Sequence, residues 1–188
     1  MKRAFDVSAC ALFLLIFWPM LLIIVVVIRL QSPGSAIFRQ VRVGKDGRPF
    51  TCYKFRTMYS GTANLPTHEV QASSVTALGK HLRNFKIDEI PQLCNVLVGH
   101  MSLVGPRPCL PSQIDLVEAR RQLGVLGVRP GITGLAQVRG VDMSDARRLA
   151  EIDAHYVRTQ SLLGDFGLIW ATLRGHGVGV DQVVRYNK

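Results

Sequence analysis

The stretch VSACALFLLIFWPMLLIIVVVI, residues 7–28, contains no charged residue, and only Ser8 and Pro19 fall outside the apolar set. At about 1.5 Å per residue, a straight helix of this length reaches roughly 33 Å, enough to cross the hydrocarbon core of a bilayer. The run is too long for the apolar region of a signal peptide, and no small-residue cleavage pattern follows it. The segment therefore predicts a membrane helix, with the buried helix of a soluble core as the alternative.

Pro19 lies near the middle of this run, where proline removes a backbone hydrogen bond and kinks a helix. Basic residues flank the run on both sides: Lys2 and Arg3 before it, and Arg29, Arg39, Arg42, Lys45 and Arg48 after it. Because Lys and Arg mark the cytoplasmic side of a membrane segment, a simple span would place one flank on the wrong side. A hairpin bent at Pro19 keeps both flanks in the cytoplasm, but its freed backbone groups must be satisfied locally. From the residues alone, the hairpin and the span stay equally open.

The chain of 188 residues has a formal net charge of +10, while only 19% of its residues are charged. Its length corresponds to one domain, and its apolar fraction of 48% suffices for a core. The positive charge predicts an anionic partner, which can be nucleic acid, anionic lipid or a phosphorylated substrate. The four cysteines show no C-x-x-C spacing, which argues against zinc and for a reducing cytoplasmic compartment.

A β-hairpin is predicted after the apolar run. The segments AIFRQVRVG and RPFTCYKFRTM alternate apolar and polar residues around Lys-Asp-Gly, and Asp-Gly is a strong hairpin signal. On the second strand, Lys54 and Arg56 share one face and Phe55 points to the other. The polar residues 60–74 that follow have no sustained period and predict a loop, which is a candidate lid over a substrate.

An acidic pair, Asp88 and Glu89, stands in the stretch FKIDEIPQL, residues 85–93. Pro91 and the apolar residues after it predict the start of a helix, for which Asp88 is a candidate N-cap. Capping alone is one interpretation. A catalytic role is the other interpretation. A helix start keeps a carboxylate ionised and also attracts phosphate, so it brings a nucleophilic acid close to the phosphate that it would attack. Adjacent residues there point in different directions, which predicts one nucleophile and one helper.

Three arginines are further candidate ligands for an anion. Arg83 lies near the end of a helix predicted over residues 75–85, Arg107 is bracketed by prolines in GPRP, and Arg129 precedes a proline in RPG. A guanidinium group binds phosphate oxygens through a two-pronged donor fork. For each of them taken singly, a solvated surface charge is the competing interpretation.

A last helix is predicted over residues 162–175, with an apolar stripe that includes Phe166, Trp170 and Leu173. Such a stripe packs into a core or lies on a membrane, where Trp prefers the interface. The pattern leaves both interpretations open.

Four segments follow the hydrophobic run in a fixed order: KFRTM (54–58), IDEIPQL (87–93), MSLVGPRP (101–108) and RPGITGLAQV (129–138). Together they resemble the bacterial sugar transferase family, the small monotopic phosphoglycosyl transferases that act on undecaprenyl phosphate. The resemblance extends from about Lys2 to Leu173. The chain contains no GxGxxG, Walker A or H-E-x-x-H pattern, so no competing motif is present.

The resemblance implies an α+β monotopic membrane protein with a small β-hairpin, several amphipathic interfacial helices, and a re-entrant N-terminal membrane helix broken at Pro19. Residues 1–31 would form that helix, which favours the hairpin over the span. Residues 32–188 would form a catalytic domain on the cytoplasmic face of the bacterial inner membrane. The implied partners are a UDP-sugar, polyprenyl phosphate and the lipid bilayer, with no nucleic acid and a homo-oligomer as a possibility.

The implied reaction moves a sugar 1-phosphate from a UDP-sugar to polyprenyl phosphate and releases UMP, as the first membrane step of glycan or exopolysaccharide assembly. Asp88 would attack the β-phosphate, form a covalent phosphosugar intermediate, and bind the required Mg²⁺. Glu89 would position or deprotonate the polyprenyl phosphate. The predicted phosphate-binding residues are Lys54, Arg56, Arg83, Arg107 and Arg129.

Two other function classes stay open. One is a membrane-tethered basic module that binds nucleic acid or anionic lipid. Its binding would depend on salt concentration and would persist after the loss of both acids. An inactive scaffold that partners a glycosyltransferase is the second, and the intact acidic pair argues against it.

Overall fold

The computed structural model describes residues 1–59 and 74–175, which form an α+β fold with seven α-helices. The predicted lid over residues 60–74 lies outside these ranges except for its last residue. In chain order, the elements are α1 (Lys2–Gln31), β1 (Ile37–Val43), β2 (Pro49–Phe55), α2 (Ala77–Asn84), α3 (Gln92–Leu97), β3 (Ser102–Val104), α4 (Ile114–Gln122), β4 (Gly131–Thr133), α5 (Leu135–Val138), α6 (Ala146–Thr159) and α7 (Leu162–Leu173).

The predicted β-hairpin is confirmed. β1 and β2 pair in an antiparallel register that ends with Val43 opposite Pro49. The connection contains a short 3-10 turn in which Asp46 (φ 56) and Gly47 (φ 74) adopt left-handed conformations. Asp and Gly tolerate this conformation better than other residues, so the Asp-Gly pair closes the hairpin. The loop is longer than the two-residue turn that the sequence suggested.

A second, parallel pair of strands was not predicted. β3 and β4 pair through Ser102 with Gly131 and Val104 with Thr133. The backbone of Gly105 then folds back so closely that a Cβ atom on Gly131 would lie 2.1 Å from the Gly105 nitrogen. This close approach requires glycine, and it sets the course of the loop that carries Arg107.

α1 is the one helix in the described part of the chain that is long and apolar enough to cross a membrane. The helix continues through Pro19. Its first half contributes Cys10 to a core cluster with residues of β2 and α3, and its second half contributes Ile28 to a cluster with residues of β2 and α2. Between these contacts, residues 15–20 are all exposed.

Two further contacts fix the ends of α1 to the rest of the fold. Near its start, the guanidinium of Arg3 donates to the carbonyls of Val96 (2.6 Å) and Leu97 (3.1 Å). Beyond its end, the guanidinium of Arg56 donates to the carbonyls of Ser32 and Pro33. Both ends of the apolar helix therefore return to the same domain.

α7 has its polar and apolar faces reversed relative to a core helix. Asp165 is its buried residue, and the phenolic hydroxyl of Tyr156 donates to it at 2.8 Å. Phe166, Trp170 and Leu173, in contrast, are 49%, 57% and 74% exposed. Of the two interpretations of this stripe, core packing is wrong. An apolar face turned outward is typical of a helix that contacts a membrane or another apolar surface.

Candidate active site

A cavity of about 1370 Å³ opens between α1, the hairpin, α2, the loop after β3, and α7. Its polar lining includes six of the predicted site residues: Lys54, Arg56, Arg83, Asp88, Glu89 and Arg107. Its apolar lining comes largely from α1, α7 and the parallel strands, and includes Phe5, Phe13, Leu103, Ile132, Ile169 and Leu173. The cavity is therefore amphipathic, with a cluster of charges at one part and an apolar wall at another.

The acidic pair lies in a 3-10 turn over Ile87–Glu89, not in the first turn of an α-helix. The N-cap position of α3 is Pro91, without a side-chain cap, so the prediction that Asp88 caps this helix is wrong. The physical reason is that backbone carbonyls already satisfy the free amides. The nitrogen of Glu89 donates to the Lys86 carbonyl at 3.2 Å, and that of Ile90 donates to the Ile87 carbonyl at 3.1 Å.

Glu89 is the fixed member of the pair. Its Oε1 atom accepts from the ammonium of Lys54 at 2.6 Å and from the guanidinium of Arg107 at 2.5 Å. Burial alone would raise the pKa of Glu89, but the charges and hydrogen bonds of Arg107 and Lys54 lower it below its ordinary range. Glu89 is therefore ionised at every physiological pH and acts on the two cations as an anchor.

Asp88 is the free member of the pair. Within residues 1–59 and 74–175, no side chain forms a hydrogen bond or salt bridge with its carboxylate, which faces the cavity. Burial, with the negative charge of Glu89 as the second cause, raises the pKa of Asp88 to about 6 against the opposing effect of Lys54, Arg83 and Arg107. We expected a helix start to keep Asp88 ionised, but Asp88 lies before α3, and burial and Glu89 raise its pKa.

Arg83 and Arg107 are held by neighbours outside the acidic pair. The Nε of Arg83 donates to the Thr57 hydroxyl at 2.8 Å. The backbone carbonyl of Arg107 accepts from Arg120 at 2.8 Å, and Arg120 in turn forms a 2.6 Å salt bridge with Asp153. Both members of this salt bridge are 3% exposed. A buried ion pair between α4 and α6 therefore positions the arginine that holds Glu89.

The structure assigns different surroundings to Arg56 and Arg129. Arg56 lines the cavity, but its guanidinium is engaged by the carbonyls at the end of α1, where it stabilises the helix terminus. Arg129 is exposed, donates to the Gly99 carbonyl at 2.9 Å, and does not line the cavity. The prediction that Arg129 joins the phosphate-binding residues is therefore not supported by its position. Pro19 lies in the exposed segment of α1 and is not among the residues that line the cavity.

Four cations of the described cavity lining were missed by the sequence analysis: the exposed Arg39 and Arg174, and the partly buried Arg42 and Lys86. Arg42 was assigned to the basic flank of the membrane segment, although it lies on β1 and donates to the Pro108 carbonyl at 3.1 Å. Burial and the neighbouring Arg107 lower the pKa of Arg42 to about 10. No local pattern singles out Arg42 or Lys86, because their place in the cavity depends on how α2 and the loop after β3 pack on the hairpin.

Among the described residues that line this cavity, Asp88 is also the one that suits Mg²⁺. The described ranges contain no group of three or more His, Cys, Asp or Glu that would hold a metal by itself. Mg²⁺, however, is commonly bound by one or two carboxylates together with substrate phosphates. Since Glu89 is taken by two cations, the donor set fits an ion shared between Asp88 and a phosphorylated substrate.

Residues 1–177 match the family model described as bacterial sugar transferase. A UDP-glucose:undecaprenyl-phosphate glucose-1-phosphate transferase of Caulobacter vibrioides is 43% identical, over 92% of this chain and 68% of that protein. A UDP-N-acetylgalactosamine-undecaprenyl-phosphate N-acetylgalactosaminephosphotransferase of Aeromonas hydrophila is 38% identical, over 92% of this chain and 43% of that protein. The uncharacterized sugar transferase EpsL of Bacillus subtilis is 39% identical, over 93% of this chain and 86% of its own length. The chain thus spans less than half of some relatives and most of others.

Proposed function

The chain belongs to the bacterial sugar transferase family, and from this we propose that it transfers a sugar 1-phosphate from a UDP-sugar to polyprenyl phosphate and releases UMP. The transfer would be the first membrane step of glycan or exopolysaccharide assembly. The observation that carries the proposal is Asp88, a carboxylate that forms no salt bridge with the described residues, in a cavity that joins a cationic cluster to an apolar wall. Two relatives are named for such transfers to undecaprenyl phosphate, with different sugars.

Asp88 is the proposed nucleophile. A carboxylate oxygen of Asp88 attacks the β-phosphorus of the UDP-sugar, the bond between that phosphorus and the bridging oxygen breaks, and UMP leaves with the electron pair. An oxygen of polyprenyl phosphate then attacks the same phosphorus and displaces the Asp88 carboxylate. Among the described residues, none forms a salt bridge with Asp88, which supports this role because a carboxylate held by two cations would be a poorer nucleophile.

Glu89 has a different proposed role. A general base works best when its pKa lies near the operating pH, and the pKa of Glu89 is lowered well away from it. Of the two roles that the family resemblance implied, positioning is therefore supported and deprotonation of polyprenyl phosphate is not. Glu89 orients Lys54 and Arg107, whose remaining N–H groups are then available to phosphate oxygens.

Mg²⁺ is the proposed cofactor, held by Asp88 and the substrate phosphates. When bound, it would neutralise part of the phosphate charge and so reduce the repulsion between the diphosphate and the attacking carboxylate. Lys54, Arg83 and Arg107 supply the positive charge that the chain itself contributes.

Polyprenyl phosphate fits the two-sided character of the cavity. Its phosphate requires cations, and its hydrocarbon chain requires apolar surface, which α1 and α7 supply through residues such as Phe5, Phe13 and Leu173. The outward-facing side chains of α7 and the exposed middle of α1 continue this apolar surface. The proposed location is therefore the membrane surface, with the catalytic cavity on the cytoplasmic face of the bacterial inner membrane.

A re-entrant course of α1 is the proposed topology. Cys10 and Ile28 are 18 residues apart, about 27 Å along a straight helix. They pack, however, into clusters that contain Cys52 and Phe55, which are about 10 Å apart along β2. Ile90 packs against both clusters. A bend within the exposed residues 15–20, where Pro19 lies, reconciles these distances and supports the hairpin over the span.

The activity is tested by incubating the purified full-length protein with Mg²⁺, undecaprenyl phosphate and a panel of UDP-sugars, and measuring UMP release. We expect release with at least one UDP-sugar, and none from the Asp88→Asn variant. Acid quenching with radiolabelled donor alone should trap a labelled protein that Asp88→Asn does not form. Normal turnover by Asp88→Asn would show that another residue is the nucleophile.

The topology has a separate test. Single cysteines placed at positions 4 and 35 in a cysteine-free background should both react with a membrane-impermeant maleimide only when the cytoplasmic side is accessible. Labelling from opposite sides would establish a span and exclude the hairpin.

A salt-dependent binding module is the competing class, and the net charge of +10 favours it. That function would survive replacement of both acids by amides. An inactive scaffold would release no UMP with any donor. The turnover and trapping measurements above separate both from the transferase.

A further inference from the structure

Lys86 has an unfavourable backbone conformation next to the acidic pair. It is one of two non-glycine residues with positive φ in the described part of the chain, and the other, Asp46, lies in the hairpin loop. At φ 56 and ψ 19 its backbone is left-handed, a conformation that Gly, Asn and Asp tolerate far better than Lys. Non-glycine residues in this region cluster at functional sites, where the surrounding structure holds them in place.

The turn itself makes no demand on the side chain of Lys86. Its nitrogen donates to the Arg83 carbonyl at 3.0 Å and its carbonyl accepts from the Glu89 nitrogen at 3.2 Å. The first hydrogen bond lies at the end of α2, and the second begins the 3-10 turn that contains Asp88. Because both involve only backbone atoms, glycine at this position would form them with less strain.

The side chain of Lys86 lines the cavity. Lys86 is partly buried, while the two preceding residues, Asn84 and Phe85, are exposed. Within the described ranges, no carboxylate forms a salt bridge with its ammonium group, and no hydrogen bond fixes it. A long, partly buried cationic side chain thus lines the cavity without a salt-bridge partner among the described residues.

Apart from Lys86, the partly buried cations of the described cavity lining already have partners. Lys54 and Arg107 both bind Glu89, Arg83 binds the Thr57 hydroxyl, and Arg42 binds the Pro108 carbonyl. In total, the described lining contains eight cations, including the exposed Arg39 and Arg174, and only two acids, which leaves an excess of positive charge. Lys86 is the one partly buried cation of the described lining whose charge remains available to an incoming anion.

We infer that Lys86 is a further substrate-binding residue, whose ammonium group binds a phosphate of one of the two substrates at the start of the catalytic turn. The inference deepens the proposed function and rests on it. The chemistry required is that of a phosphate oxygen, which the diphosphate of the nucleotide sugar and the phosphate of the polyprenyl acceptor share. The experiment below has one arm for each source.

The variants are Lys86→Gln, which removes the charge, Lys86→Arg, which keeps it, and Lys86→Gly, which removes the charge and also the backbone strain. Lys45→Gln is the matched control, because Lys45 is an exposed lysine of the hairpin loop outside the cavity. KM is measured for the UDP-sugar at saturating undecaprenyl phosphate, and for undecaprenyl phosphate at saturating UDP-sugar. The apparent Tm of each protein is measured with and without UDP, and with and without a short-chain polyprenyl phosphate.

We expect Lys86→Gln to raise KM for one of the two substrates about tenfold, the loss of one charge-assisted hydrogen bond, and to change kcat by less than about twofold. Lys86→Arg should stay near the wild-type KM, and Lys45→Gln should be unaffected. Lys86→Gly should show the same rise in KM as Lys86→Gln with an equal or higher Tm. This combination separates substrate binding from a structural role. If the role of Lys86 were merely structural, its replacement would lower Tm, and KM would not depend on the charge at position 86.

The ligand arms identify the phosphate. Loss of the Tm shift caused by UDP assigns Lys86 to the nucleotide sugar, and loss of the shift caused by the polyprenyl phosphate assigns it to the acceptor. Unchanged KM values and Tm shifts in both arms would overturn the inference. If the wild-type protein releases no UMP but its stabilisation by UDP depends on Lys86, the transferase proposal fails while the phosphate site stands.

Discussion

The neutral variant Asp88→Asn should make the protein more stable as well as inactive. The pKa of Asp88 rises from its ordinary value of 3.8 to about 6 in the folded protein, so the folded state holds the proton more tightly than the unfolded chain does. Ionised Asp88 therefore destabilises the fold above pH 6, and this effect disappears as the pH falls towards 4. Replacing the carboxylate by an amide removes the effect at neutral pH.

The size of the gain follows from the pKa. One pKa unit corresponds to about 1.4 kcal/mol, so the rise to about 6 sets an upper limit of about 3 kcal/mol for the gain at pH 7.5. Because the carboxyl is only partly buried and the amide has its own desolvation cost, we expect on the order of 2 kcal/mol. For a chain of this size, that corresponds to a rise in Tm of roughly 4–8 °C.

The neighbouring acid gives the opposite expectation and serves as the control. Glu89→Gln leaves Lys54 and Arg107 without the carboxylate that binds both, in a site where the Glu89 side chain is 12% exposed. Removing one partner of a buried ion pair costs about 3 kcal/mol. Two substitutions of the same kind at adjacent positions should therefore shift Tm in opposite directions.

The assay is thermal unfolding of wild type, Asp88→Asn and Glu89→Gln in the same detergent with EDTA, followed by intrinsic fluorescence at pH 7.5 and pH 5. Comparing each variant with wild type at the same pH cancels the contributions of other titrating groups. The gain from Asp88→Asn should shrink to about half at pH 5, where most of the wild-type carboxyl is protonated. A variant less stable than wild type at pH 7.5, or a gain that does not change with pH, would refute the account of Asp88.

Three further outcomes are expected. The kcat/KM for the UDP-sugar should fall about tenfold per pH unit below pH 6, because protonated Asp88 cannot attack, and a profile that stays flat down to pH 5 would contradict this. Arg107→Met should lower kcat/KM for UMP release at least tenfold, whereas Arg129→Met should leave it within about twofold, since Arg129 lies outside the cavity. Arg56→Met should lower the apparent Tm by a few degrees, because two carbonyls after α1 lose their donor, and a Tm equal to that of Arg129→Met would argue against this anchoring.

Elements with a strong local pattern were predicted well from the sequence. The apolar run gave α1, the Asp-Gly turn between alternating segments gave β1 and β2, and helical spacing gave α2 to within two residues at its start. β3 and β4 were missed because three residues are too few to show a period, and their pairing joins distant segments. These short strands form a two-stranded parallel sheet that supports the site.

The candidate site was predicted by residue type and family resemblance more than by geometry. Lys54 and Glu89 are 35 residues apart in the chain, so no local pattern shows that they form a salt bridge. Arg129 looked equivalent to Arg107, since both lie beside proline in a glycine-containing loop, yet only Arg107 reaches the cavity. The direction of the Asp88 pKa could not be predicted either, because it depends on burial and on the charges of other elements.

The contrast between the two adjacent acids bears on the chemistry directly. Glu89 gathers the strongest partners of the site, Lys54 and Arg107, and its negative charge raises the free energy of ionised Asp88 beside it. Pairs of titratable groups whose environments push their pKa values apart mark a division of roles in active sites. In the proposed reaction, the attack of Asp88 converts an unfavourably placed anion into the uncharged acyl group of an acyl phosphate, and the departing UMP carries the negative charge away. The same repulsion that destabilises the resting protein would therefore favour the covalent step, which is why the stability gain and the loss of activity are expected from one substitution.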